Sequence, residues 1–191
     1  MRLFVAFDLP GEVREALGEA IARLKPLCRA ARWTRAEGMH VTLKFIGHAI
    51  ATGDTEKLDA ARAALAAVKS SEPVKVSYRG VGFFPDARRP RVIWCGMEAS
   101  ENLARLAADI ERGLTSLGIP REARTFVPHL TLARFKSPEG VNALVRSAAE
   151  WASRDFGSAS ETEFHLFESL LKPSGAEYRK IESYSFVRAG A

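Results

Sequence analysis

The sequence predicts an α+β fold made of two similar lobes with a groove between them. Segments with strand-like and helix-like apolar spacing alternate along the 191 residues. The phrase His-x-Thr-Leu occurs twice, at His40–Leu43 and at His129–Leu132. The predicted elements around the two copies follow the same order, which indicates an internal duplication in pattern. A groove between two such lobes is the natural place for a ligand.

The first half of the chain reads as strand, helix, strand, helix and strand. A run of strand-favouring residues opens it and is ended by Pro10 and Gly11. Beyond them, apolar residues recur every three or four positions, which is typical of an amphipathic helix. The elements expected are a strand over 3–8, a helix over 13–27, a strand over 40–47, a helix over 54–69 and an extended segment over 74–84.

The second half repeats this order. The two histidines are 89 residues apart, and the same offset maps Arg2 onto Arg91, so the opening strands share a register. No Pro-, Gly- or Ser-rich linker separates the halves, and we therefore expect residues 1–191 to form one domain of two pseudo-symmetric lobes. The elements expected are a strand over 91–97, a helix capped by Ser100 and ended by Gly118, a strand over 129–135, a helix beginning at Ser137–Pro138, and strands over 164–171 and 180–187.

Composition narrows the classes of protein. The 47% apolar and 27% charged residues are ordinary for a globular protein, and no apolar run approaches the length of a membrane span. Cys28 and Cys95 lie in apolar patterns without metal-like spacing, which indicates buried, reduced thiols. We therefore expect a cytoplasmic monomer without membrane contact. The net charge of +5 is compatible with an anionic partner such as RNA but does not require one.

Each His-x-Thr phrase places an imidazole and a hydroxyl on one face of a strand. Side chains at i and i+2 share a face, so His40 aligns with Thr42 and His129 aligns with Thr131, while the residues between them point into the core. Opening a cyclic phosphate needs a base and an acid, and histidine serves as either near neutral pH. The hydroxyls can donate to phosphoryl oxygens. Core packing explains the repeated apolar residues but not the repeated polar face. The repeated polar face therefore favours a functional over a structural role for the histidines and threonines.

Further segments match a known family. They are residues 2–7, 39–47, 82–85, 90–94 and 126–134. With these segments the chain resembles the 2H phosphoesterases over nearly its whole length. Within that family it is most similar to the bacterial and archaeal RNA 2′,3′-cyclic phosphodiesterases, also called 2′-5′ RNA ligases.

The resemblance implies that each lobe is an antiparallel sheet backed by helices. It also implies that the groove hydrolyses the 2′,3′-cyclic phosphate of an RNA end or a nucleotide, without metal or cofactor. His129 would then activate water, and His40 would protonate the leaving 3′ oxygen to give a 2′-phosphate, with Thr42 and Thr131 as the other site residues. Two alternatives stay open: reversible 2′-5′ ligation of RNA in the same site, and a nucleotide- or RNA-binding module without turnover.

Several further residues have two interpretations. Arg134 lies one position beyond those that share a face with His129, so it contacts the phosphate only if the strand twists or bulges; otherwise it is a surface charge. We interpret His48 as a loop residue and His165 as a hydrogen-bonded sheet residue. Three aromatic residues could stack on a base or could pack in the core: Trp33, Phe45 and Phe84. Three arginines could hold an RNA backbone or could be exposed loop residues: Arg88, Arg89 and Arg91.

Overall fold

Two antiparallel sheets backed by four helices make up the described part of the chain. The computed structural model describes residues 1–122, 126–137, 140–172 and 175–187. The strands are β1 (Leu3–Phe7), β2 (Arg32–Trp33), β3 (Val41–Gly47), β4 (Val74–Phe84), β5 (Val92–Ala99), β6 (His129–Arg134), β7 (Asp155–Glu161), β8 (Glu163–Lys172) and β9 (Gly175–Ser185). The helices are α1 (Gly11–Leu24), α2 (Thr55–Ala66), α3 (Asn102–Thr115) and α4 (Asn142–Ala149), with short 3₁₀ turns at Lys25–Leu27 and Ala36–Gly38.

The two sheets each have their own helices. Sheet 1 has the strand order β3-β1-β8-β9, and α2 and α3 pack against it. Sheet 2 has the order β2-β6-β5-β4-β7, and α1 and α4 pack against it. The predicted α+β class, with antiparallel sheets backed by helices, is confirmed.

The two halves of the sequence do not each form one sheet, as the repeated order suggested. β4 comes from the first half but pairs with β5 in sheet 2, and β8 comes from the second half but pairs with β1 in sheet 1. β4 and β5 are consecutive in the chain, and the short connection between them favours a local antiparallel pair. All five residues of β1 are buried, so this strand is covered on both faces. We propose that residues 1–191 fold as a single domain of two lobes, because each sheet contains strands from both halves.

The predicted helices and strands occur, with corrections at their ends. Helix α3 is preceded by Glu101, not capped by Ser100, whose hydroxyl accepts the backbone N–H of Lys75 at 2.9 Å. Helix α4 begins at Asn142, so Ser137 is not its N-cap, and Pro138 lies outside the described residues. The short strand β2 and the Ser- and Gly-containing β7 were not predicted, because neither carries a strand-like apolar pattern. Both cysteines are buried free thiols, as predicted.

No helix in the described ranges is long and apolar enough to span a membrane.

Candidate active site

The two His-x-Thr phrases lie on neighbouring strands of different sheets. His40 directly precedes β3 of sheet 1, His129 opens β6 of sheet 2, and these two strands contact each other. The side chains of both histidines, Thr42 and Thr131 are partly exposed, while the apolar residue between each pair is fully buried. The predicted alternation of a polar face and a core face is therefore confirmed in both strands.

Both imidazoles are anchored in the same way. Nδ1 of His40 lies 2.9 Å from the carbonyl oxygen of Gly38, and Nδ1 of His129 lies 2.8 Å from the carbonyl oxygen of Val127. A carbonyl oxygen only accepts, so Nδ1 carries the proton and donates in each case. In a neutral ring this leaves Nε2 as the unprotonated nitrogen. Each histidine thus has a fixed orientation and one nitrogen available for proton transfer.

The threonine hydroxyls are available to a ligand. Within the described ranges, neither Thr42 Oγ1 nor Thr131 Oγ1 has a hydrogen-bond partner in the protein. Both side chains are partly exposed, so a ligand can reach them. A partly exposed hydroxyl beside an imidazole can donate to an anionic oxygen without first breaking a protein hydrogen bond.

A β-bulge brings Arg134 onto the polar face of β6. Thr131 pairs with Trp94 and Ala133 pairs with Ile93, so Leu132 is an extra residue in the ladder. Leu132 and Ala133 are both buried, and the alternation resumes one residue later with Arg134 exposed. Arg134 therefore shares its face with Thr131, which simple alternation from His129 did not allow. The structure therefore contains the bulge that the sequence analysis required for Arg134 to reach the polar face.

A segment from the first half of the chain holds this bulge. The backbone N–H of Thr34 donates to the carbonyl oxygen of Leu132 at 2.8 Å, and its hydroxyl donates to that of Thr131 at 3.0 Å. The preceding strand β2 pairs with Ala133 and Arg134. The orientation of Arg134 thus depends on residues about 100 positions away in the sequence.

Strand β3 contains an equivalent bulge. Thr42 pairs with Ala6 and Lys44 pairs with Val5, so Leu43 is extra, and Lys44 turns inward to bind Glu111 at 2.9 Å. The next residue, Phe45, returns to the polar face with half of its surface exposed (51%). Phe45 is five residues after His40, as Arg134 is five after His129. The two lobes therefore place an aromatic ring and a guanidinium at equivalent positions.

His40 rests on an aromatic cluster of sheet 1 that the sequence did not predict. Its ring centroid lies 4.5 Å from that of Phe4 and 4.9 Å from that of Tyr178, and Phe167 stacks on Phe4 at 5.2 Å. These rings come from β1, β8 and β9, which are far apart in the chain. Only the strand pairing brings them under the imidazole, so no local spacing could have revealed them.

This environment lowers the pKa of His40 to about 4. Burial is the main cause, and the positive charge of Arg134 acts in the same direction. The hydrogen bond to Gly38 and the negative charge of Asp8 oppose the shift. The contact between β3 and β6 brings the polar faces of the two sheets close to each other.

His129 has its own aromatic support in sheet 2. Phe84 packs edge-on against it at 5.0 Å, and Trp94 packs against Phe84 at 5.2 Å. A Cβ atom on Gly82 would lie 2.3 Å from the Trp94 ring, so glycine is required there for the indole to lie across β4. Phe84 therefore supports the histidine, which leaves Phe45 as the exposed aromatic residue of the polar face.

The other histidines fit their interpretations. His48 lies exposed in the turn after β3. His165 is buried, with Nδ1 2.9 Å from the Ser183 hydroxyl and Nε2 3.4 Å from Lys180 Nζ. Trp33, a candidate for base stacking, instead packs against the core and donates from Nε1 to the carbonyl oxygen of Cys28 at 3.0 Å.

A cavity of about 380 Å³ opens beside His40. Its walls include Tyr178, Phe167 and Lys180. A larger and shallower depression of about 670 Å³, lined by Lys75, Glu98 and several serines, lies at the far end of sheet 2 and contains neither histidine. Volume alone therefore does not mark the candidate site, which is defined by the paired side chains.

In the described part of the chain, no cluster of three or more His, Cys, Asp or Glu side chains could hold a metal ion.

Comparison with known proteins assigns the family. The model of the 2′-5′ RNA ligase superfamily matches residues 12–168. The chain belongs to this superfamily. The RNA 2′,3′-cyclic phosphodiesterase of Methanocaldococcus jannaschii is 31% identical over 184 residues, covering 96% of this chain and 100% of the relative. That of Archaeoglobus fulgidus is 34% identical over 186 residues, covering 96% and 99%.

A solved structure has the same fold. Escherichia coli LigT, crystallised with 3′-AMP, superposes with a TM-score of 0.77 at 27% identity, and 98% of each chain is covered. The resemblance to the 2H phosphoesterases is thereby confirmed along nearly the whole chain. The chain therefore combines the superfamily's fold with two His-x-Thr strands, each of which has its histidine and threonine partly exposed.

Proposed function

We propose that this protein hydrolyses 2′,3′-cyclic phosphates, at RNA ends or on nucleosides, to 2′-phosphates by two-histidine acid–base catalysis. The observation that carries the proposal is the matched pair of strands. Each holds a histidine by Nδ1 and leaves Nε2 and a threonine hydroxyl without a described protein partner. The curated relatives named above as RNA 2′,3′-cyclic phosphodiesterases match nearly the whole chain and support the choice of substrate.

The proposed reaction moves one proton at each histidine. Nε2 of His129 takes a proton from water as its oxygen bonds to phosphorus, and the bond from phosphorus to O3′ breaks. Nε2 of His40 gives its proton to O3′, so the products are a 2′-phosphate and a free 3′-hydroxyl. Thr42 and Thr131 donate to the phosphoryl oxygens, and the guanidinium of Arg134 balances their charge. Phe45 offers a face on which the base can stack.

His40 needs a proton to act as the acid, and the free protein does not supply it. With a pKa of about 4, the ring is uncharged at neutral pH. A cyclic phosphate bound at Nε2 brings a negative charge, and this raises the pKa of the imidazole. We therefore propose that substrate binding causes His40 to take up a proton from the solvent.

Binding of a nucleoside 2′,3′-cyclic phosphate at pH 6–7 should take up about one proton, because the pKa of His40 lies below this range when free and above it when bound. Calorimetry in buffers of different ionisation enthalpy measures the uptake. The measurement uses the His129→Ala variant, in which turnover is slow enough for binding to be followed alone. A cyclic phosphate does not titrate in this range, so the proton is taken up by the protein. The His40→Ala/His129→Ala double variant is the control and should take up none. Absence of uptake in His129→Ala would assign His40 the role of base.

The function is tested by the identity of the product. The protein is incubated with an oligoribonucleotide ending in a 2′,3′-cyclic phosphate, in excess EDTA, and followed by phosphorus NMR. The expected product is a 2′-phosphate, formed at the same rate with and without EDTA. A 3′-phosphate, or dependence on a divalent metal, would contradict the proposed mechanism. Tight binding without any product would instead identify a binding module.

The superfamily's description favours ligation as a second candidate function. The same groups can run the reaction in reverse, with a 5′-hydroxyl of RNA in place of water. Comparing product formation with water alone and with a 5′-hydroxyl oligoribonucleotide as acceptor distinguishes the two directions.

A further inference from the structure

Sheet 2 carries a concentration of positive charge at the end where Arg134 lies. The side chains involved come from β2, the β4–β5 loop, the end of β6 and the segment just after β6, and all are exposed. We call this surface the basic band; it consists of Arg32, Arg88, Arg89, Arg91, Arg134 and Lys136.

Strand pairing draws four of these cations together. Arg32 is the direct partner of Arg134 across β2 and β6, so the two side chains share a face. Arg91 directly precedes β5, and its guanidinium donates to the carbonyl oxygen of Lys136 at 2.7 Å. Because β5 pairs with β6, this places Arg91 and Lys136 at the same end of the sheet as Arg134.

The β4–β5 loop supplies the other two. Asp86 accepts the backbone N–H groups of Arg88 and Arg89 at 2.7 and 3.0 Å, which fixes the loop. Both guanidinium groups stay exposed. The side chains of the loop can therefore be changed without removing the hydrogen bonds that shape it.

One carboxylate, Asp86, lies within the band and accepts backbone N–H groups of its loop. Within the described ranges, none of its six side chains forms a salt bridge. Like charges placed opposite each other on paired strands destabilise a sheet, and Arg32 faces Arg134 in this way. A surface that gathers six cations around one carboxylate, at a cost in stability, is typical of a site for a polyanion.

We infer that the basic band binds the phosphates of the RNA chain on the 5′ side of the cyclic end. This rests on the proposed function. An RNA that ends in a 2′,3′-cyclic phosphate continues only in the 5′ direction, so all its other phosphates lie there. The band is continuous with the candidate site through Arg134. The opposite end of sheet 2 is less suitable, since the depression there is lined by one cation, Lys75, and one carboxylate, Glu98.

The test compares a long and a short substrate in the Arg88→Gln/Arg89→Gln variant. We expect KM to rise about tenfold for an oligoribonucleotide with a cyclic end, because phosphate contacts are lost. For a nucleoside 2′,3′-cyclic phosphate, kcat and KM should be unchanged, since this substrate does not extend to the loop. The matched control is Arg23→Gln/Arg105→Gln, which removes two exposed charges from α1 and α3. This control should leave kcat and KM unchanged for both substrates.

A second measurement counts the contacts. The affinity for an oligoribonucleotide ending in a 2′-phosphate, measured by fluorescence anisotropy, should depend less steeply on salt in the variant. For two lost contacts the slope of log K against log salt should fall by about 1.4, at about 0.7 for each phosphate.

The outcomes separate this inference from the proposed function. If the wild-type protein hydrolyses the nucleoside substrate but the variant keeps its KM and salt slope for the oligoribonucleotide, the function stands and the band is not the RNA path. If the variant instead loses binding to anionic lipid vesicles while its RNA kinetics are unchanged, the band belongs to a membrane surface. If no cyclic phosphate is hydrolysed by the wild type, the proposed function itself fails.

Discussion

Replacing His129 with Ala should lower kcat for hydrolysis of a nucleoside 2′,3′-cyclic phosphate by about 10²–10⁴-fold, and His40→Ala should do the same. Each substitution removes one of the two proton transfers, and no described neighbour offers a second imidazole at the same place. The measurement is steady-state hydrolysis across pH, with product separated by chromatography. Each single variant should also lose one limb of the bell-shaped pH profile, because each limb reports one of the two groups.

The control for this experiment is His48→Ala. His48 is exposed in a turn next to the same strand, so its loss should leave kcat unchanged. The double variant His40→Ala/His129→Ala should be little slower than either single variant, since groups that act as a unit are not additive. Near-wild-type turnover in either single variant, with the fold intact by circular dichroism, would remove that histidine from the mechanism.

The alternation of side chains explains how much of the site could be predicted. A strand period of two predicts that His40 shares a polar face with Thr42 and that His129 shares one with Thr131, and in the structure all four side chains are partly exposed. The period of two depends only on the backbone geometry of a strand. The short sequence of each His-x-Thr phrase is therefore enough to predict which side chains share a face.

The position of Arg134 could not be derived in the same way. A bulge moves every later side chain of the strand to the opposite face of the sheet. This bulge depends on Thr34, which donates hydrogen bonds to the carbonyl oxygens of Thr131 and Leu132. Similarly, the ring of Phe167 reaches His40 only because β8 pairs with β1. Both features are set by contacts between distant parts of the chain, and neither has a signal in the nearby sequence.

Replacing Arg134 with Gln should lower kcat/KM by about 10²–10³-fold. The guanidinium lies on the polar face beside Thr131, where it can form two parallel hydrogen bonds to phosphoryl oxygens, and loss of one such charged donor has an effect of this size. Arg134→Lys should be intermediate, because an ammonium keeps the charge but not the paired geometry. Arg105→Gln, an exposed arginine on α3, is the matched control and should be neutral.

A second readout separates this role from a general loss of surface charge. The charge of Arg134 lowers the pKa of His40 in the free protein, so Arg134→Gln should raise that pKa while it slows the reaction. Nitrogen-15 NMR of the imidazole follows the titration without substrate. A slower enzyme with an unchanged His40 titration would mean that Arg134 acts at a distance from the paired histidines. A raised pKa with full activity would mean that the guanidinium reaches His40 but not the phosphate, and only both changes together assign Arg134 to the bound anion.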